Sequence, residues 1–282
     1  MIPAEFDYEV AESVEHAIEL LGTKEDAKLL AGGHSLLPLM KLRLARPATL
    51  IDIGRVPGLA GVRNGSGDQL TIGALTRHHD LANDPLVQEH CPILAHTAAL
   101  VGDSQVRHRG TIGGSLAHGD PASDLPTIAL TLDAEIVLRG PNGERTVGAA
   151  DFFRGFFETA LEPNELITEV RIPKTGAVGW SYIKFRQRAL DWAMVGVAAV
   201  VQPENGGIKS AHIGLTNMGQ TPLRAAAAEQ ALAGTSHDAV EAAAQKADEG
   251  TDPPADTFAS ADFRRHLARV LTARAVEEAL SR

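Results

Sequence analysis

The chain has 282 residues, 44% of them hydrophobic and 22% charged, the composition of a globular protein with room for two or three domains and a full core. Its net charge of −10 argues against general nucleic-acid binding, which needs a basic footprint. One cysteine, Cys91, excludes an intramolecular disulfide, a Cys-rich zinc site and a four-cysteine iron–sulfur cluster built by this chain alone.

The first residues carry neither a charged n-region nor an apolar h-region, and no apolar run is long enough for a bilayer, so cytoplasm is the expected compartment. Residues 13–21 predict an amphipathic helix, with Gly22 as its C-terminal glycine. Residues 27–31 predict a buried strand running into Gly32-Gly33-His34-Ser35, followed by an apolar helix over 36–44 and a strand over 49–53. Strand, glycine turn, helix and strand make a βαβ unit, with the glycines where open α/β sheets bind ligands.

A glycine-rich stretch, 54–67, predicts a boundary. Beyond it, 70–75 reads as a strand, Thr76 as the cap of a short helix, and 85–99 as helical with a break at Pro92. In that stretch Cys91 reads as a small buried hydrophobe. Residues 136–139 and 167–172 read as strands. After residue 176 the pattern changes: 193–202 and 208–216 predict a hairpin turning at Asn205-Gly206-Gly207, then Ala-rich helices over 225–233, 238–246 and 261–279.

The chemistry concentrates in two double glycines, Gly32-Gly33 and Gly113-Gly114, each reaching a small hydroxyl residue within two positions. Glycine admits left-handed backbone and close ligand approach, and successive N–H groups in such turns gather anions. Two such segments suggest one long anionic ligand held at two places, such as a dinucleotide pyrophosphate. Neither the P-loop nor the G-x-G-x-x-G fingerprint is present, so another nucleotide or flavin fold is expected. Asp120 and Asp124 read as turn or capping residues, or as acceptors for a ribose or ribityl hydroxyl. His34, His108 and His118 match no metal motif, and no G-x-S-x-G elbow is present. Lys184 to Arg188 reads either as a solvated sheet edge or as a cation beside a flavin ring.

Four stretches resemble one family: AGGHSLLPLMKLRLARPATLIDI (31–53), GDSQVRHRGTIGGSLAHGDPASDLP (102–126), LEPNELITEVRIP (161–173) and KFRQRALDWAMVGVAA (184–199), with SADFRRHLARVLTARA (260–275) besides. They resemble the flavoprotein (medium) subunits of molybdenum hydroxylases of the aerobic carbon monoxide dehydrogenase type. The resemblance spans the whole chain. It implies an α+β protein: a two-part, vanillyl-alcohol-oxidase-like FAD-binding domain of the PCMH type over 1–55 and 56–176, then a C-terminal domain over 177–282 of a small antiparallel sheet plus helices.

By the same resemblance, non-covalent FAD rests its pyrophosphate on Leu29, Leu30, Ala31, Gly32, Gly33, His34, Ser35 and Leu36. It runs past Val101, Thr111, Gly114, Ser115, Asp124 and Ile167, with Lys184 near the ring. No catalytic residue and no metal ligand is assigned to this chain. The family often has Gln at the position of His34 and Asn at that of Ser115. The resemblance also implies partners: an iron–sulfur small subunit and a molybdopterin large subunit, in a dimer of heterotrimers that passes electrons through FAD to an external acceptor such as a quinone. Carbon monoxide is the expected substrate of the large subunit, with N-heterocycles or aldehydes as alternatives, and contact with the inner membrane comes only through the complex. Two competing readings are a stand-alone flavin dehydrogenase and a nucleotide-binding regulatory protein without redox activity.

Overall fold

A computed structural model describes residues 2–282. The chain opens with a three-stranded parallel sheet whose order is Asp7–Val10, Thr49–Asp52, Ala27–Leu30. Helices Val14–Thr23 and Leu36–Lys41 cross between its strands, so the expected βαβ unit is present. Sequence reading misses Asp7–Val10, because this edge strand is only four residues long and largely exposed, so its alternation of Tyr8 and Val10 with Asp7 and Glu9 marks no buried face. Helix Leu36–Lys41 stops short of the expected residue 44, and Arg43 beyond it turns left-handed at φ +64°. Gly22 lies inside the first helix, which Lys24 ends in an extended conformation; glycine is not what stops it.

The next strands form an antiparallel sheet ordered Val62–Asn64, Gln69–Gly73, Leu166–Pro173, Glu135–Gly140, Gly143–Gly148. Helices pack on it around Leu70, Ile72, Leu94, Leu116, Ile128 and Ile136. The expected break at Pro92 separates helix Pro85–His90 from Pro92–Leu100. Asp84 caps the former by accepting from the N–H groups of Leu86 and Val87. Cys91 sits fully buried at that break, and desolvation pushes its thiol up to about 12, so it packs as a hydrophobe.

The remainder is a second antiparallel sheet, Gly179–Phe185, Val195–Glu204, Gly207–Thr216 and Leu223–Arg224, with Thr235–Ser236 also paired to Gly207–Thr216. Its hairpin turns at Asn205 and Gly206, both at positive φ, as a two-residue hairpin loop requires. The 20-residue helix Ala261–Leu280 lies on this sheet. The two meet so closely that a Cβ on Gly179 would overlap the Ala279 carbonyl. Arg264 is buried there, donating to the Met194 carbonyl and to Asp256. On the far side, strand Gly207–Thr216 abuts helix Asp124–Thr131, and Gly214 leaves no room for a Cβ against Thr131. Among the described residues, no helix is long and apolar enough to cross a membrane.

Candidate cofactor site

Strand Ala27–Leu30 delivers the chain into the first double glycine. Gly33 turns left-handed at φ +77°, where a side chain would be strained and would press on Leu30 and Leu37. Its carbonyl accepts from Leu37 N–H and so starts helix Leu36–Lys41. Among the described residues, the N–H groups of Gly33, His34 and Ser35 find no acceptor, and the Ser35 side chain makes no capping bond. Three successive free donors at a turn beside a helix start form an anion cradle.

The second double glycine is a different object. It forms the first turn of helix Ile112–His118, not a loop. Its donors are spent within the protein: Ile112 N–H on Thr76 O, Gly113 N–H on Ala74 O at 2.8 Å, and Gly114 N–H on the Thr111 hydroxyl at 3.1 Å. Backbone anion capture, expected equally at both places, is therefore available only at the first. Gly113 serves packing, since its Cβ would stand 2.6 Å from that of Ala74. Gly114 is exposed and presents a bare backbone that a ligand can approach.

The two segments touch. A Cβ on Gly32 would overlap the Arg109 carbonyl and lie 2.8 Å from Gly110 Cα. From that junction, contacts lead along the expected residues. Thr111 caps Gly114, and the Ser115 hydroxyl meets that of Ser123 at 2.9 Å, one residue before Asp124. Asp124 accepts from Lys184 Nζ at 2.7 Å, and that ammonium lies 3.5 Å from Leu100 O, next to Val101. Ile167 is buried in strand Leu166–Pro173, away from this trail of polar contacts but on the same core.

Lys184 is not the solvated residue that one of its two readings expects. Strand Gly179–Phe185 is indeed a sheet edge, yet the Lys184 side chain is 3% exposed and its partner Asp124 4%. Its charge is compensated, so it does not act as a free cation. Asp124 is neither a turn nor a cap residue: it opens helix Asp124–Thr131 as a buried carboxylate, while Asp120 makes the turn by accepting from Ala122 N–H. Desolvation pushes the Asp124 carboxyl up, and Lys184 opposes that shift.

Tyr182 and His78 were not anticipated. Tyr182 donates to Asp124 at 2.7 Å. Strand alternation puts it on the same face as Lys184, a signal present in the sequence once Lys184 is singled out. The His78 ring packs against Gly110, the His78 backbone N–H donates to Gly110 O, and the ring Nδ1 has no partner among the described residues. Burial, reinforced by the positive charge of Arg107, lowers it to about 4. His78 thus stays neutral beside the junction. His34, in contrast, is exposed.

Free donors on a glycine turn, a bare glycine surface beside it, and a buried carboxylate–ammonium pair farther along fit a dinucleotide with a hydroxylated arm. Comparison with known proteins agrees. Residues 4–175 match the family described as the FAD binding domain in molybdopterin dehydrogenase, and residues 180–279 match the CO dehydrogenase flavoprotein C-terminal domain. Fold and site together define an FAD-binding subunit of an oxidoreductase, and the chain belongs to this molybdopterin dehydrogenase flavoprotein family. It is 44% identical to the carbon monoxide dehydrogenase medium chain of Hydrogenophaga pseudoflava, over all of this chain and 99% of the other. It is 41% identical to the 6-hydroxypseudooxynicotine dehydrogenase complex subunit alpha of Paenarthrobacter nicotinovorans, over 100% and 97%. A solved structure of carbon monoxide dehydrogenase from H. pseudoflava superposes at TM-score 0.97 with 47% identity, over 100% of this chain and 99% of that one.

Proposed function

We propose that this chain is the electron-transfer subunit of a molybdenum hydroxylase that oxidises carbon monoxide, and that it carries one non-covalent FAD. The observation that carries this reading is the contact between Gly32 and the Arg109–Gly110 backbone, which joins a cradle of free N–H donors to the bare surface of Gly114. FAD supplies redox chemistry that accepts electrons singly and passes them on as a pair. The chain binds and orients: Leu29 to Leu36 take the pyrophosphate, with the Gly33, His34 and Ser35 N–H groups as donors. Val101, Thr111, Gly114, Ser115 and Ile167 line the path beyond. Asp124 accepts from a sugar or ribityl hydroxyl, and Lys184 holds that carboxylate ionised near the ring.

The FAD-binding part divides into 1–55 and 56–176, with 177–282 as the C-terminal domain. An iron–sulfur small subunit and a molybdopterin large subunit complete the electron path, in a dimer of heterotrimers that works in the cytoplasm and meets the inner membrane only as a complex. A quinone is the proposed acceptor. The relative from P. nicotinovorans motivates a second reading, in which the large subunit oxidises an N-heterocycle or a related organic substrate.

Acid precipitation of the purified protein tests the cofactor: one FAD per chain appears in the supernatant. Yellow colour left in the pellet contradicts non-covalent binding, and absence of flavin contradicts the reading. Co-expression with the two neighbouring subunits and pull-down on this chain recovers all three; recovery of this chain alone contradicts the assembly.

A further inference from the structure

Tyr182 belongs to the C-terminal sheet, whereas Asp124 belongs to the preceding domain. The Tyr182 hydroxyl donates to Asp124 Oδ1 at 2.7 Å while Lys184 Nζ donates to Oδ2 at 2.7 Å, so two groups from one strand face grip both carboxylate oxygens. Behind Tyr182 the polar chain continues. Its hydroxyl lies 3.2 Å from Thr216 Oγ1, which donates to Thr127 Oγ1 at 2.7 Å, back on the helix of Asp124. Tyr182, Thr216 and Thr127 are all buried. The backbone is cleared for this network. A Cβ on Gly196 would stand 2.6 Å from the Tyr182 hydroxyl and 2.8 Å from Thr216 Oγ1, and Gly214 admits none against Thr131. Two glycines inside paired strands weaken a sheet, so their presence here marks a close approach.

We propose that Tyr182 is a positioning residue of the FAD site: its hydroxyl holds the Asp124 carboxylate against Lys184, so that seating of the C-terminal sheet on helix Asp124–Thr131 governs how tightly FAD is retained. This rests on the reading that Asp124 accepts a hydroxyl of FAD. Two donors leave a carboxylate with acceptor capacity to spare for such a hydroxyl. An ionised carboxylate accepts more strongly than a neutral one, and the Tyr182 bond favours the ionised form. The charged groups facing Asp124 are Lys184 and Arg186, and both remain when Tyr182 loses its hydroxyl.

The test is FAD titration of flavin-depleted full chain, isolated with the subunits that co-purify with it, from pH 7 downward, for wild type and Tyr182→Phe. Gly196→Ala serves as a second variant that displaces the hydroxyl without deleting it. The expected result is FAD affinity about tenfold weaker at pH 7, the loss of one hydrogen bond to a charged group. The acid limb of the binding profile should also move to higher pH in both variants. A lower melting temperature with wild-type affinity and an unmoved acid limb would reduce Tyr182 to packing and overturn the proposal. Wild-type protein that takes up no FAD at any pH would overturn the functional reading and the proposal with it. If Tyr182→Phe fails to fold, Gly196→Ala decides alone: unchanged FAD affinity and acid limb overturn the proposal.

Discussion

The two double glycines look alike in sequence and do different work. Gly32-Gly33 leaves three N–H donors free at a turn and lies in a partly exposed unit. Gly113-Gly114 spends every donor of its helix start inside the protein, and Gly113 is packed against Ala74. In the proposed site, the first is where free backbone donors meet the ligand. The second is a place where absent side chains let elements close up, with Asp124, Lys184 and Tyr182 buried beyond it. Filling Gly113 should therefore cost mainly stability, and displacing the donors at Gly33 should cost cofactor.

The largest stability loss is expected at Lys184. Lys184→Met strands a buried carboxylate and should destabilise by about 3–5 kcal/mol in urea denaturation. Replacing Asp124 by Leu in the same chain should recover most of that loss; no recovery would break the picture of a compensated pair. Because Asp124 already balances the ammonium, the flavin midpoint potential of Lys184→Met should fall by less than an unpaired charge at 4 Å implies, roughly 4 kcal/mol at an effective dielectric of 20.

His78 sharpens the comparison by pH. Its folded pKa of about 4 lies below the unfolded value of 6.5, so the unfolded chain binds more protons between those values. Its contribution is fully present above pH 6.5 and is lost as pH falls toward 4, by up to about 3 kcal/mol. His78→Gln should flatten the stability–pH curve over that window; an unchanged slope would place the titration elsewhere.

Gly113→Ala should lower stability by about 1–3 kcal/mol through overpacking against Ala74. The smallest effect belongs to the first unit. Gly22→Ala meets nothing within 4 Å and lies in the last turn of its helix, so thermal denaturation should show a gain of at most about 0.5–1 kcal/mol.

The sequence carried local features well. The βαβ unit, the break at Pro92 and the Asn205-Gly206 hairpin follow from short-range rules that need no partner, and the structure contains them. What it could not carry was pairing across distance. Nothing near Gly113 in sequence reveals that Ala74 and Thr76 take up the donors of its helix. Nothing near Lys184 in sequence reveals that it pairs with Asp124, so its burial was not legible there. Helix Asp124–Thr131 escaped notice because its residues are buried all round, which erases helical periodicity.

The most direct measurement is FAD titration at a temperature well below unfolding, with Gly33→Val beside Gly113→Ala. The valine side chain at φ +77° strains the turn and displaces the free N–H groups, so the melting temperature should fall and the folded protein should bind FAD about a hundredfold more weakly or worse, roughly 3 kcal/mol. Gly113→Ala should melt earlier, yet its folded fraction should bind FAD within about tenfold of wild type, because its backbone donors serve the protein and not the ligand. Full FAD affinity in Gly33→Val, or a hundredfold loss in folded Gly113→Ala, would contradict the division of work between the two glycine pairs.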